Sequence, residues 1–227
     1  MELPKDTSSA QPRHGRWYDD ACGTAFAMEL VGERWSLLIV RELMFGGRRF
    51  SDLRAALKGI SAKVLSERLG GMESAGIVRR AEHDQAPGVR LYELTEWGQR
   101  ADVAIMELGR WAAMSPRHDP TLPLSPASLM LSFRTMFDAA RATGARLTGQ
   151  IDVGRDRFVA RVADGRLAIA RGRDADADFA LAAPAAPLIA AAAYLKLPFA
   201  ELPEMTVAGE EAAARFFDFF HLPAKIG

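Results

Sequence analysis

The sequence holds one cysteine, Cys22, in 227 residues, so it can close no internal disulfide. Such usage points to a reducing compartment, and the expected location is cytoplasmic. The four histidines (His14, His83, His118 and His221) are scattered, with no metal-ligand spacing. No metal or other cofactor is expected. Also missing are a Gly-x-Ser-x-Gly elbow, a phosphate loop and a dinucleotide fingerprint. The chain is therefore not expected to be an enzyme. The most apolar run, 179–194, carries Pro184 and Pro187 and is too short to span a bilayer, which takes about 20 residues. Residues 1–16 lack the apolar centre of a signal peptide and read as a disordered tail. No membrane insertion is expected. Nor is there a net charge, since 29 Lys and Arg balance 29 Asp and Glu. That excludes a histone-like binder.

What is present describes a soluble globular chain, 49% hydrophobic and 26% charged. Its length suits one large domain or two small ones. Charge is unevenly spread, with nine Lys and Arg against five Asp and Glu from Gly46 to Arg90. The same stretch has a readable architecture. Residues 51–57 carry Leu53, Ala56 and Leu57 at helical spacing, and Gly59 offers a left-handed stop. Ser61 suits the N-cap of a second helix over 62–75, with Leu65, Leu69 and Met72 on one stripe. Gly76 ends it, and two extended runs, 77–82 and 89–94, flank the turn-forming residues 83–88. Helix, turn, helix and hairpin together predict a winged helix that reads double-stranded DNA.

With Leu65 facing inward, Lys63, Ser66, Glu67, Gly70 and Ser74 face outward. The N-terminal half of such a helix reaches base edges, so Ser61, Ala62, Lys63, Ser66 and Glu67 are the expected readers. Arg48, Arg49 and Ser51 stand where a backbone phosphate could be gripped. Arg90 lies near the wing tip, suited to a phosphate or the minor groove.

Before this segment, 21–31 and 33–45 read as helices, the second with Trp35, Leu38, Ile39 and Leu43 on one face. After it, Thr95 caps an expected helix over 96–114, apolar at Ile105, Leu108, Trp111 and Ala112. That helix and 21–31 carry enough apolar surface to predict a homodimer built on them.

The chain from Cys22 to about residue 115 resembles the HxlR family of bacterial winged-helix regulators, relatives of MarR. The resemblance rests on Cys22, Gly32-Glu33-Arg34-Trp35 leading into Leu38-Ile39-Val40-Arg41-Glu42-Leu43, and Gly47-Arg48-Arg49-Phe50-Ser51-Asp52-Leu53. It continues through Gly59-Ile60-Ser61-Ala62-Lys63-Val64-Leu65-Ser66-Glu67-Arg68-Leu69, Glu73-Ser74-Ala75-Gly76-Ile77-Val78 and Tyr92-Glu93-Leu94-Thr95-Glu96-Trp97-Gly98. One departure is the wing, where the family's Pro-Pro-Arg-Val-Glu-Tyr is replaced by Pro87-Gly88-Val89-Arg90-Leu91-Tyr92. The resemblance implies a dimer on a palindromic operator. It also marks Cys22 as a redox-sensing candidate, the alternative being a small buried side chain.

Residues 115–126 hold four prolines in twelve positions and read as a semi-rigid linker. Beyond them the expected order is an apolar helix over 128–142 and strands around 147–153, 158–162, 167–169 and 177–181. An Ala-rich helix over 187–195, a strand at 206–208 and a Phe-rich terminal helix from Glu210 complete it. Asp164-Gly165 marks a two-residue hairpin. This half, 127–227, resembles the sterol-carrier-protein fold through Asp176-Ala177-Asp178-Phe179-Ala180-Leu181, the Ala-rich helix and Thr206-Val207-Ala208-Gly209-Glu210. That resemblance implies an antiparallel sheet packed with helices and a small apolar ligand, with Phe133, Phe137, Leu188, Tyr194, Phe199, Phe216 and Phe220 as expected lining. Those residues could equally form the core. The expected whole is a two-domain α+β protein: tail 1–16, winged-helix and dimerisation domain 17–114, linker 115–126 and sterol-carrier-like domain 127–227. Its expected function is that of a dimeric DNA-binding regulator, controlled by a small apolar effector or by Cys22 oxidation. The alternative is a lipid-carrier or ligand-storage protein whose winged helix serves only for assembly.

Overall fold

The computed structural model describes residues 18–83 and 86–227. The expected tail, with His14, and Asp84-Gln85 of the wing loop lie outside the described residues.

The N-terminal half runs α1 (Gly23–Val31), α2 (Ser36–Leu43), α3 (Phe50–Ala56), α4 (Ala62–Ser74), β1 (Val78–His83), β2 (Ala86–Leu94), α5 (Glu96–Gln99) and α6 (Asp102–Ala113). Helix α2 starts later than its apolar pattern suggests because Trp35 adopts φ 82°, a left-handed conformation no α-helix continues. Gly59, at φ 94°, makes the turn between α3 and α4. Ser61 caps α4 as expected, its Oγ accepting from the Val64 N–H at 3.2 Å. Gly70-Gly71 does not shorten that helix. The wing strands pair antiparallel from Val78↔Leu94 to Glu82↔Arg90, with an irregularity at His83. A single antiparallel bridge joins Arg48 to them, exchanging backbone hydrogen bonds of 2.9 and 2.8 Å with Tyr92.

The helix expected over 96–114 is instead two. Thr95 accepts from the Gly98 N–H at 3.0 Å and donates to the Gly76 carbonyl at 2.7 Å, which pins α5 to the foot of the wing. The chain re-aims at Arg100-Ala101, and α6 then places Asp102 against Arg134, 2.7 Å away.

The C-terminal half contains α7 (Pro126–Met136), β3 (Leu147–Val153), β4 (Asp156–Ala163), β5 (Arg166–Arg171), β6 (Phe179–Ala183), α8 (Ala186–Tyr194), a 3-10 turn (Phe199–Glu201), β7 (Thr206–Ala208) and α9 (Glu210–Phe217). Its sheet order is β5-β4-β3-β6-β7. Asp164 and Gly165, both at positive φ, make the β4–β5 hairpin as expected. The wholly antiparallel sheet needs correction, because β6 lies parallel to β3. A packing fit explains the choice of neighbour. Phe179 of β6 lays its ring on Gly149 of β3, where any Cβ would collide with it, and Asp178 accepts from the Thr148 N–H at 2.7 Å. Helix α7 also ends earlier than its pattern, because Phe137 turns extended and bridges to Phe220.

Helix α7 is the centre of the molecule. Its residues Ala127, Leu129, Met130 and Phe133 are fully buried, and it packs on α6 and α2 on one side and on β5 and α8 on the other. A single apolar core therefore runs through both halves. Residues 115–126 are tied into this body: Ser125 donates to the buried Glu42 at 2.6 Å. Lys225 donates to the carbonyls of Ala113, Ser115 and His118 at 2.9–3.2 Å. No helix among the described residues is long and apolar enough to cross a membrane.

Candidate nucleic-acid interface

Helix α4 buries Leu65, Leu69 and Met72 against the head and turns its other face outward. Arg68, bound to Glu33 at 3.0 Å, fixes the helix on the α1–α2 connection. Ser61, Ala62, Lys63, Ser66 and Glu67 are all exposed, so the expected readers share one open surface. Lys63 approaches Glu67 only to 3.9 Å, and its side chain remains 86% exposed. Arg49 and Ser51 are exposed at the start of α3, and Arg90 is exposed on β2.

Arg48 departs from this set. Its guanidinium turns away from the reading face and binds Asp156 of β4 at 2.6 Å, while Arg171 of β5 binds the same carboxylate oxygen. A phosphate would have to displace a partly buried carboxylate to reach it, so Arg48 serves the junction between the halves. The basic surplus of the segment is consumed unevenly. Arg79 pairs with Glu93 at 3.1 Å and Arg80 with Glu73 at 3.2 Å. Among the described residues, Arg49, Arg54, Lys58 and Arg90 carry no ion pair. Arg54 escapes a reading centred on α4. Its only signal in the sequence is the local excess of basic residues.

Cys22 is exposed at the N-cap of α1. It makes no full cap hydrogen bond, yet the nearby amides of Ala25 and then Thr24 favour the thiolate and lower its pKa below the ordinary thiol range. The alternative of a small buried side chain does not hold.

The expected ligand lining is redistributed. Phe133, Phe216 and Phe220 are buried and pack ring on ring, with centroids 4.7–5.8 Å apart. Phe137 continues the cluster at 6.0 Å from Phe220, and Tyr194 lies 6.1 Å from Phe133 with its hydroxyl 2.6 Å from Ser132. These side chains fill the space that a tunnel would need, because Phe216 of α9 packs on Phe179 of β6 at 5.0 Å and Phe220, just beyond α9, packs on Phe133 of α7 at 4.7 Å. A groove of about 680 Å³ opens on the other side of α9, and of the seven expected residues it is bordered by Phe199, beside Leu197, Met205 and Phe217. Leu188 is half-buried against the core.

A two-helix reading unit with an open outer face, followed by a two-stranded wing, defines a winged helix-turn-helix DNA reader. Comparison with known proteins refines the class. The chain belongs to the HxlR-like helix-turn-helix family, whose match spans residues 30–119. It is 38% identical over 86 residues to YvaP of Bacillus subtilis (strain 168), named an uncharacterized HTH-type transcriptional regulator, covering 38% of this chain and 80% of that one. It is 37% identical over 86 residues to the HTH-type transcriptional regulator YodB of the same organism, covering 38% and 77%. HTH-type regulators of Mycobacterium tuberculosis and Mycobacterium bovis are 45% identical over 85 residues, but only 53% of their length is spanned. The solved reduced form of B. subtilis YodB is 34% identical, with 43% of this chain and 98% of that one covered and a TM-score of 0.39. The chain is thus a transcriptional regulator of the HxlR type.

Proposed function

We propose that the protein acts as a homodimer that reads a palindromic DNA operator. The observation that carries this reading is the outward face of α4: Ser61, Ala62, Lys63, Ser66 and Glu67 lie open together, flanked by the unpaired Arg49 and Arg90. Base edges are met by the first turns of α4 and phosphates by Arg49, Ser51 and Arg90. Dimerisation is supported by apolar side chains left in water on α1 and α6, where Met28 is 40%, Leu108 47% and Trp111 73% exposed.

Control by oxidation of Cys22 is supported by its exposure and lowered pKa. The sterol-carrier-like reading of 127–227 is supported by the layering of helices on a sheet. Its expected apolar tunnel is not carried forward, because Phe133, Phe216 and Phe220 occupy it. The carrier or storage alternative loses its ground with that tunnel.

The test is binding to the DNA upstream of the protein's own operon, followed by fluorescence anisotropy across a salt series. Each phosphate contact contributes about −0.9 to the log–log slope, so the Lys63→Ala/Arg90→Ala double variant, which loses one phosphate contact at Arg90 and one base-edge contact at Lys63, should flatten it by about 1 and weaken binding. An unchanged isotherm and slope in the double variant would overturn the assignment of these residues.

A further inference from the structure

A cleft of about 590 Å³ lies between the reading head and the C-terminal sheet, walled by the end of α3, the segment before α7, the β3–β4 turn and the start of α8. That size falls within the range of small-molecule sites, about 300–1,000 Å³. Pro123, Leu124 and Pro184 give it apolar walls, and the charges along it are unequal. Arg41, Lys58 and Arg155 face one carboxylate, that of Asp156. Asp156 is already taken by Arg48 and Arg171, and Arg41 is taken by Glu42 at 2.9 Å. Lys58 and Arg155 are left over: both are exposed and neither makes a hydrogen bond through its side chain or an ion pair among the described residues. Behind Asp156, Nε and Nη2 of Arg171 and Nε of Arg48 are buried with no hydrogen-bond partner, as is Oε2 of Glu42. The five cations Arg41, Arg48, Lys58, Arg155 and Arg171 outnumber the two carboxylates Glu42 and Asp156, so the field of this wall is positive. Helix α8 adds its positive end, since Ala185 offers no side-chain cap and its first turn has no acidic residue.

We propose that this cleft binds a small amphipathic carboxylate as an effector. The anionic head lies at Lys58 and Arg155, and the hydrocarbon body lies against Pro123, Leu124 and Pro184. These apolar walls favour a carboxylate with a carbon skeleton over a bare inorganic anion. Lys58 immediately precedes Gly59, the turn into the recognition helix. Arg155 immediately precedes Asp156, whose carboxylate holds Arg48 at the foot of the wing. A ligand touching both residues therefore biases how the two DNA-contacting elements are held on the C-terminal half. It regulates only through a difference in affinity between those arrangements. The ligand site stands on its own, whereas its regulatory effect rests on the DNA-reading function proposed above.

The test is calorimetric titration of the full-length protein with octanoate, its neutral analogue octanamide, and inorganic phosphate. Octanoate is expected to bind about tenfold or more tighter than octanamide. The Lys58→Ala/Arg155→Ala double variant, whose lost side chains are both exposed, should keep its melting temperature and lose that preference. No octanoate binding at millimolar concentration, equal binding of acid and amide, or an undiminished preference in the double variant would each overturn the site. Phosphate binding as tightly as octanoate would overturn the amphipathic assignment. With the operator fragment, octanoate should shift DNA affinity in the wild type, and not in Arg155→Ala, whose ligand-free affinity stays unchanged. If octanoate binds and DNA affinity does not move, the regulatory role is wrong. If the ligand-free protein binds no DNA while octanoate still binds, the fault lies with the DNA reading and the site stands.

Discussion

Asp156 holds two guanidiniums, and all three side chains are at least three-quarters buried. Removing one member of such a cluster leaves charge stranded in low dielectric. Asp156→Ala is therefore expected to destabilise the protein by about 3 kcal/mol, the lower end for breaking a buried pair, read from the denaturant midpoint. Two glycines should respond to alanine with opposite signs. At Gly149 the added methyl collides with the Phe179 ring, itself held against Phe216 at 5.0 Å, and overpacking of this kind costs about 1–3 kcal/mol. At Gly70, inside α4, nothing lies within 4 Å of the new atom, so the gain in helix propensity should stabilise by about 0.5–1 kcal/mol. Thermal melts of the two variants check both signs. Cys22, whose thiol pKa is lowered, should be alkylated by iodoacetamide with a pH midpoint below that of a free cysteine, and a midpoint at or above it would remove the support for sensing.

Helix α7 is the element on which both halves depend, since its apolar residues point in every direction. Phe133→Ala removes a fully buried ring that four aromatic neighbours surround. It should cost about 3–5 kcal/mol. Fluorescence and hydrogen exchange should register that loss together in the wing and in the C-terminal sheet. Most elements were legible in the sequence because their signals are local. The alternation of β3, the Asp164-Gly165 turn, the Ser61 cap and the 206–208 strand each needed only a few neighbouring residues. What was not legible depends on distant partners. Arg48 looks like a phosphate ligand until Asp156, 108 positions away, is folded beside it. The place of β6 next to β3 rests on the fit between Phe179 and Gly149, which no periodicity reports. The aromatic lining of the C-terminal half failed for a related reason. A phenylalanine that walls a cavity and one that fills it share the same spacing, and only the neighbouring rings decide.

For the whole molecule, the continuous core predicts one cooperative unfolding transition, with coincident loss of signal from both halves. Two separated transitions would show that α7 belongs to one half alone. The dimer proposed on α1 and α6 should be broken by Trp111→Glu, which places a charge on the most exposed large apolar side chain of α6. Sedimentation at micromolar concentration should then report a folded monomer with weakened operator binding. The burial of α7 also imposes an order in time. During synthesis the reading head is complete once α6 has emerged at Ala113, but the helix that covers its inner side ends at Met136. At about 5–20 residues per second, that side stays open to water and to other chains for roughly 1–5 s. The sheet that closes over α7 arrives later still. A nascent chain is thus stickiest midway through its own translation, and codons slowing the ribosome between these two helices should lower the yield of folded protein.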